Sequence, residues 1–287
     1  MKMMYGMLAA LSPAALFAIY SYRLKALLLI ITGVASAVLA EAIYQKLTGQ
    51  KITVKDGSAA VTGLLLSLAV SISTPLYALG VSAVVGIIVG KQIFGGFGKN
   101  IFNPAIFGRL FYLFAFPDSI LPWRSPVDMT TAATPLEIMR DTGEFSPILD
   151  NFLGTIPGTI GEISGLLLLA GGLYLIYKNY ARWRIPASIM GTVFVIALIA
   201  GENPFFHFFA GSLMLGAFFM ATDPMSSPRF PKGQIAFGIG IGIIIMLMRW
   251  YGWQTPGEYH FTEGTTFAIL IMNLFVPWFN QVFKPSR

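Results

Sequence analysis

The chain has 287 residues, of which 55% are hydrophobic and only 11% charged, and its mean hydropathy is +0.71. Soluble domains average about 25% charged residues, so an ordinary globular enzyme is excluded. The absence of cysteine excludes thiolate chemistry, disulfides and Cys-ligated iron–sulfur clusters. Two histidines, His207 and His260, are too few for a His-rich metal centre.

Ten apolar runs follow one another, near 4–21, 26–44, 58–74, 76–94, 103–117, 163–177, 185–201, 204–222, 234–250 and 264–283. A bilayer core of about 30 Å takes about 20 apolar residues per helix, so ten spans use about 200 residues and leave about 87. The pattern predicts an all-α integral membrane protein with ten transmembrane helices. The first run does not read as a signal peptide: it contains Pro13, lacks an A-x-A-type site and leads at once into the second run.

A net charge of +6 would suggest nucleic acid in a soluble protein. Here the basic residues sort by side when the spans alternate in direction. Lys2, Lys46, Lys51, Lys55, Lys91, Lys99, Lys178, Arg182, Arg184, Arg229, Lys232, Lys284 and Arg287 fall on one side, and Arg23, Lys25, Arg124, Arg140 and Arg249 on the other. Arg109 is left inside the fifth run. The positive-inside rule then predicts cytoplasmic N and C termini, and no nucleic-acid partner is expected. Trp123, Trp183, Trp250, Trp253 and Trp278 fall near run ends, where interfacial aromatics belong.

The one long connection, from Asp118 to Glu162, falls on the outer side, and loops of that length usually carry function. Within it, Thr134-Pro135-Leu136-Glu137 reads as a helix start, with Thr134 as N-cap, Pro135 at the first position and Glu137 closing a capping box. The helix should stop near Gly143. Thr62–Pro75 resembles Ala210–Pro224 with one inserted residue, and five spans of separation reverses direction. An inverted repeat follows, with a first five-helix half at 1–117, the outer loop at 118–162 and a second half at 163–287.

Gly86-Ile-Ile-Val-Gly90-Lys91 lacks the Ser/Thr of a phosphate loop and reads as small-residue helix packing. Gly95-Gly96-Phe97-Gly98 reads as a turn, and the stretch through Pro104 as broken helix. Asn100 and Asn103 there either offer amides to a polar ligand, or Asn103 simply caps the helix that Pro104 opens. For Arg109, ligand binding and structural ion pairing stand level. Asp223, in Ala-Thr-Asp-Pro, reads first as turn chemistry. His207 reads as a packed or interfacial histidine.

Five stretches taken together resemble a known family. They are Asp56-Gly-Ser-Ala, Gly95–Arg109, Thr130–Leu136, Gly216–Pro224 and Glu263–Asn273. The chain resembles the D subunit of Rnf-type electron transport complexes, homologous to the B subunit of sodium-translocating NADH:quinone reductases. The resemblance implies that a flavin transferase esterifies FMN, through its phosphate, to a Thr in a D-x-x-[ST]-[GA]-A-T pattern. Here that pattern is Asp128-Met-Thr-Thr131-Ala132-Ala133-Thr134, so Thr134 would carry the flavin, with Ala132 in place of the commoner Gly. The resemblance further implies a second, non-covalent flavin, riboflavin, for which Asn100, Asn103 and Asp223 are the candidates.

The expected protein is a multi-pass flavoprotein of a prokaryotic cell (inner) membrane, with its flavin loop on the outer side. It would be one subunit of a ferredoxin:NAD⁺ oxidoreductase-type complex coupled to Na⁺ or H⁺ movement. Its partners would be other membrane and peripheral subunits, including iron–sulfur and second flavin-carrying ones. The alternative is a redox-silent channel or secondary transporter of urea-channel-like fold, which inverted repeats and broken helices suit equally well.

Overall fold

The computed structural model describes residues 2–120, 122–254 and 264–285, without the side chains of 251–254. His260, Glu263, Arg287 and the Trp253 side chain lie outside the described residues. Among the described residues all elements are helical, apart from one isolated antiparallel bridge between Arg124 and Thr131.

The first helix, α1 (Lys2–Leu47), covers the first two apolar runs. Its 46 residues would extend about 69 Å at 1.5 Å per residue, more than twice a bilayer core. It does not run straight: Arg23 takes φ 56° and ψ −139°, which divides it into two helices of span length. Pro13 lies inside the first of these, and the carbonyl of Ala9 that it deprives of an amide partner accepts instead from Ser12 Oγ at 2.8 Å.

There follow α2 (Ser58–Leu68), α3 (Leu76–Ile87), continued by a π-helical turn Ile88–Gln92, and α4 (Pro104–Ala115). The long loop holds α5 (Pro135–Thr142) and α6 (Ile148–Leu153). Then come α7 (Gly165–Tyr177), α8 (Arg184–Ile199), α9 (Pro204–Phe209), α10 (Leu213–Leu215) with a π-helical turn Gly216–Met220, and α11 (Pro231–Gln254). Two more, α12 (Thr265–Leu274) and α13 (Val276–Val282), are bent against each other by 51°. Among the described residues α1 and Pro231–Trp250 are each long and apolar enough to cross a membrane, and the bent pair makes a third such unit. Five further apolar helices are shorter than a full span.

The helices gather in two groups. α1, α2, α3 and α4 pack on one another, as do α8, α9, α11 and α12. Contacts of α1 with α7 and of α4 with α12 join the groups. The end of α1 nearest Tyr5 meets Lys55, whose carbonyl accepts from Tyr5 Oη at 2.9 Å. At the opposite end, Tyr22 beside the Arg23 break donates to the carbonyl of Arg124 at 3.1 Å. Lys55 and Arg124 thus occupy opposite ends of the first helix, as the charge sorting requires.

Two residues depart from that sorting. Lys91, counted with the loops, is 1% exposed because the π turn carries it inward onto a carboxylate. Arg249, also counted with the loops, is buried, and its guanidinium donates to the carbonyls of His207 (2.9 Å) and Ala210 (2.7 Å), left open where α9 ends. Trp123 is likewise no interfacial aromatic: it is buried and hydrogen-bonded within the protein.

The second part of α1 crosses α2 at Gly33 and Gly63. A Cβ on Gly63 would lie 2.4 Å from the Gly33 carbonyl oxygen and 2.7 Å from Val34 Cα. Both obstacles are backbone, so the helices must separate to admit it. Gly63→Ala should therefore destabilise the detergent-solubilised protein by about 1–3 kcal/mol, seen as a lower unfolding midpoint. Gly191→Ala in α8, where nothing lies within 4 Å, should leave the midpoint unchanged or raise it.

Candidate functional site

Two cavities hold every residue that the sequence singled out for flavin, apart from the exposed members of the transferase motif. The first lies at the Arg124 end. Residues 123–132 form a small hairpin in which Ser125 N donates to Thr130 O (2.9 Å) and Ala132 N to Trp123 O (3.2 Å). Asp128 sits in its turn, where its Oδ1 accepts from Thr130 Oγ1 (2.8 Å) and Thr130 N (3.2 Å). The Thr130 hydroxyl first, then that of Ser125, holds the Asp128 carboxyl below the usual carboxylate range. Asp128, Thr131 and Ala133 are all exposed, so the motif is laid out along an accessible edge.

The hairpin delivers Thr134 to the N-cap of α5, and the expected capping box is present. Thr134 Oγ1 accepts from Glu137 N at 3.3 Å, and the Glu137 carboxylate accepts from Thr134 N at 2.7 Å. Gly143 closes the helix in the left-handed conformation. The other Glu137 oxygen accepts from Trp123 Nε1 at 3.1 Å, an anchor the sequence did not reveal. Leu136 and Met139 seat α5 against Phe206 and Ala210. Beside Thr134 opens a cleft walled by Leu113, Ile120, Trp123, Ile163 and Phe209 and carrying Glu162 as well as Glu137. Its far wall is the returning loop, in which Gly161 N donates to Leu68 O (2.7 Å) and Ile160 N to Val70 O (2.9 Å).

The second cavity lies between the two helix groups toward the Lys55 end, and it brings together Asn100, Asn103 and Asp223. Gly95, Gly96 and Gly98 all take positive φ in the turn that leads to it. Asn103 is both cap and cavity wall. Its Oδ1 accepts from Ala105 N (2.9 Å) at the start of α4, while its Nδ2 donates to Met220 O (3.0 Å) across the groups. Asn273 completes the tie, accepting from Asn103 N (3.2 Å) and donating to Ser226 O (2.8 Å). Asp223 accepts from Ser226 Oγ at 2.9 Å and from the Asn100 side chain. Asn103, Asn100 and Asp223 are thus all engaged within the protein, Asn100 Nδ2 also donating to Phe102 O at 2.9 Å, and together they form the polar part of the wall.

The remaining wall was not foreseen. Lys91 and Phe219 enter from the two π-helical turns, and Ser58 from the start of α2. Lys91 Nζ donates to Glu41 Oε2 (2.7 Å) and to Ser58 Oγ (2.6 Å). Glu41, near the end of the second apolar run, is fully buried. The signal available in the sequence was the Asp56-Gly-Ser stretch itself, whose partners lie more than 30 residues away. π turns of this kind frequently mark functional sites. Arg109 is buried within α4. His207 is packed, with Nε2 2.7 Å from Glu202, and lines neither cavity.

The whole chain, residues 1–287, matches the NQR2, RnfD, RnfE family. It is 42% identical to the D subunit of the Na⁺-translocating ferredoxin:NAD⁺ oxidoreductase complex of Acetobacterium woodii, covering 99% of this chain and 89% of that one. It is 39% identical to the D subunit of the proton-translocating ferredoxin:NAD⁺ oxidoreductase complex of Clostridium ljungdahlii, covering 100% and 91%. It is also 40% identical to the B subunit of the Na⁺-translocating NADH-quinone reductase of Yersinia pestis, over 77% of this chain and 58% of that one. The chain therefore belongs to the NQR2, RnfD, RnfE family, whose members named above are subunits of ion-translocating oxidoreductase complexes.

Proposed function

We propose that this chain is the membrane flavoprotein subunit of a ferredoxin:NAD⁺ oxidoreductase-type complex that couples electron transfer to Na⁺ or H⁺ translocation. The observation that carries the reading is the pair of cavities, one beginning at Thr134 and one enclosing Asn100, Asn103 and Asp223.

Thr134 fits the role of FMN attachment. Its motif neighbours Asp128, Thr131 and Ala133 are exposed for a flavin transferase to read. Its hydroxyl oxygen already receives a backbone N–H from the first turn of α5, so a phosphate ester there would begin at a helix N-terminus, which favours anions. Glu137 and Trp123 hold the threonine in place, and the apolar cleft beside it would take the ring system away from water. The inner cavity would hold riboflavin, with Asn100 and Asp223 offering polar contacts and Phe219 an aromatic face. Flavins supply the electron transfer, and the protein supplies position and electrostatics. Dinucleotide and iron–sulfur chemistry would reside on partner subunits, since this chain has no cysteine to ligate a cluster.

In this reading the chain crosses a prokaryotic inner membrane ten times, with the halves 1–117 and 163–287 inverted and the loop 118–162 outside. The break at Arg23 supports it, because it turns one apparent helix into two spans, and so does the opposite placement of Lys55 and Arg124.

Three outcomes are expected. Co-expressed with a flavin transferase, the wild-type chain should give a flavin-fluorescent band on a denaturing gel, and Thr134→Val should abolish it; fluorescence that survives the substitution, or is missing from wild type, rejects the attachment site. Asn100→Leu should reduce the acid-extractable riboflavin of the purified complex, by about tenfold in affinity for one lost hydrogen bond of about 1.5 kcal/mol, while leaving the covalent band intact. Because the chain has no cysteine, single cysteines report topology cleanly. An impermeant maleimide applied to spheroplasts should label Glu144→Cys and spare Gln50→Cys, and the reverse pattern would invert the assignment.

A further inference from the structure

A polar chain that riboflavin binding does not require leads out of the inner cavity. Lys91 is 1% exposed and lines the cavity, with its Nζ 5.8 Å from the ring centroid of Phe97, another wall residue. Of its three protons, one is given to Glu41 Oε2 and one to Ser58 Oγ. The Ser58 hydroxyl in turn donates to Asp56 Oδ1 at 2.5 Å, and Ser58 N donates to the same oxygen at 2.7 Å. Asp56 is half-buried beside the exposed Lys55, so the chain ends at the protein face. Gly57, at φ +82°, makes the tight turn that brings Asp56 onto Ser58. A structural ion pair needs only Lys91 and Glu41. The added hydroxyl and second carboxylate, in series and within hydrogen-bond distance, form a continuous path from the face to the cavity.

We propose that Asp56, Ser58 and Lys91 conduct protons from the Lys55 face to the ligand of the inner cavity, with Lys91 Nζ as the terminal donor. This rests on the reading of that cavity as a riboflavin site. When the bound flavin accepts one electron from a one-electron donor cofactor of the complex, an Nζ–H bond of Lys91 breaks and an N–H bond forms on the flavin ring. The Ser58 hydroxyl then turns from Asp56 and gives its proton to the neutral amine, and Ser58 Oγ is reprotonated by Asp56 once that carboxylate has taken a proton from the bulk. The cavity thereby gains one electron and one proton, and no net charge is left in an apolar interior, where an uncompensated charge is costly. Oxidation runs the same steps backward. Glu41 stays paired with Lys91 and is itself held by Gln45 Nε2 at 3.2 Å and Thr53 Oγ1 at 3.4 Å. The other charged group in the cavity wall is Asp223.

The test uses the intact complex and follows the riboflavin absorbance after a single reducing pulse, in H₂O and D₂O. Ser58→Ala cuts the path and leaves the Lys91–Glu41 pair in place, whereas Ser58→Thr restores a hydroxyl. The expected result is unchanged riboflavin content in both, a reduction rate at least tenfold slower in Ser58→Ala with an altered solvent isotope effect, and near wild-type kinetics in Ser58→Thr. A wild-type rate in Ser58→Ala overturns the proposal. So does loss of riboflavin from Ser58→Ala with retention in Ser58→Thr, which would make the hydroxyl part of the binding wall rather than of a path. If instead Asn100→Leu leaves the riboflavin content untouched, the assignment of the cavity itself fails, a different result from failure of the path.

Discussion

A polar group stranded without a partner in an apolar interior costs about 2–7 kcal/mol, and this chain interrupts its helices at several points inside such an interior. The principal interruptions are each answered by a specific partner. The gap before α4 is closed by Asn103, whose side chain caps the helix and reaches Met220 O, while Asn273 receives Asn103 N and reaches Ser226 O. The carbonyls released where α9 ends are taken by the Arg249 guanidinium. The unwound stretch after α2 pairs with the returning loop through Ile160 and Gly161. Continuous helices would leave little polar backbone to present to a ligand. The breaks create that polarity, and the requirement that it be satisfied fixes where the cavities lie.

The two cavities use the constraint differently. At the outer cleft the polar work is local and sits at the mouth: a capping box, with Trp123 bracing its carboxylate. The walls behind it are mostly apolar. The inner cavity is enclosed by groups drawn from α1, α2, both π turns and the strap before α4, and its lysine is paired within the wall. A site whose reactive group is tethered needs little from its walls beyond shape, whereas a site that holds a ligand by contacts alone must supply the polar partners. That division is what the proposed pair of one covalent and one non-covalent flavin would require.

Much of this was legible in the sequence, and the rest was hidden for identifiable reasons. The capping box at Thr134 and the stop at Gly143 were readable because all their partners lie within nine residues of one another. The turn at Gly95–Gly98 was readable because glycine tolerates the positive φ that all three of its glycines adopt. Lys91 was misplaced because charge counting treats any lysine near a run end as solvated, and its carboxylate partner lies 50 residues away. Trp123 was misplaced for the same reason, since its acceptor belongs to a helix on the other side of the hairpin. The third run reads as apolar from 58 to 74, yet α2 stops at Leu68, because the next residues pair with a loop some 90 positions later. Periodicity could not have shown that.

The central claim is that one threonine at a helix cap carries the flavin. Trypsin should release 125–140 as a single peptide bounded by Arg124 and Arg140, containing Thr130, Thr131 and Thr134. Mass spectrometry of that peptide from the native complex should find it heavier by FMN less one water, with fragmentation placing the addition on Thr134. An unmodified peptide, or an addition on Thr130 or Thr131, would contradict the account.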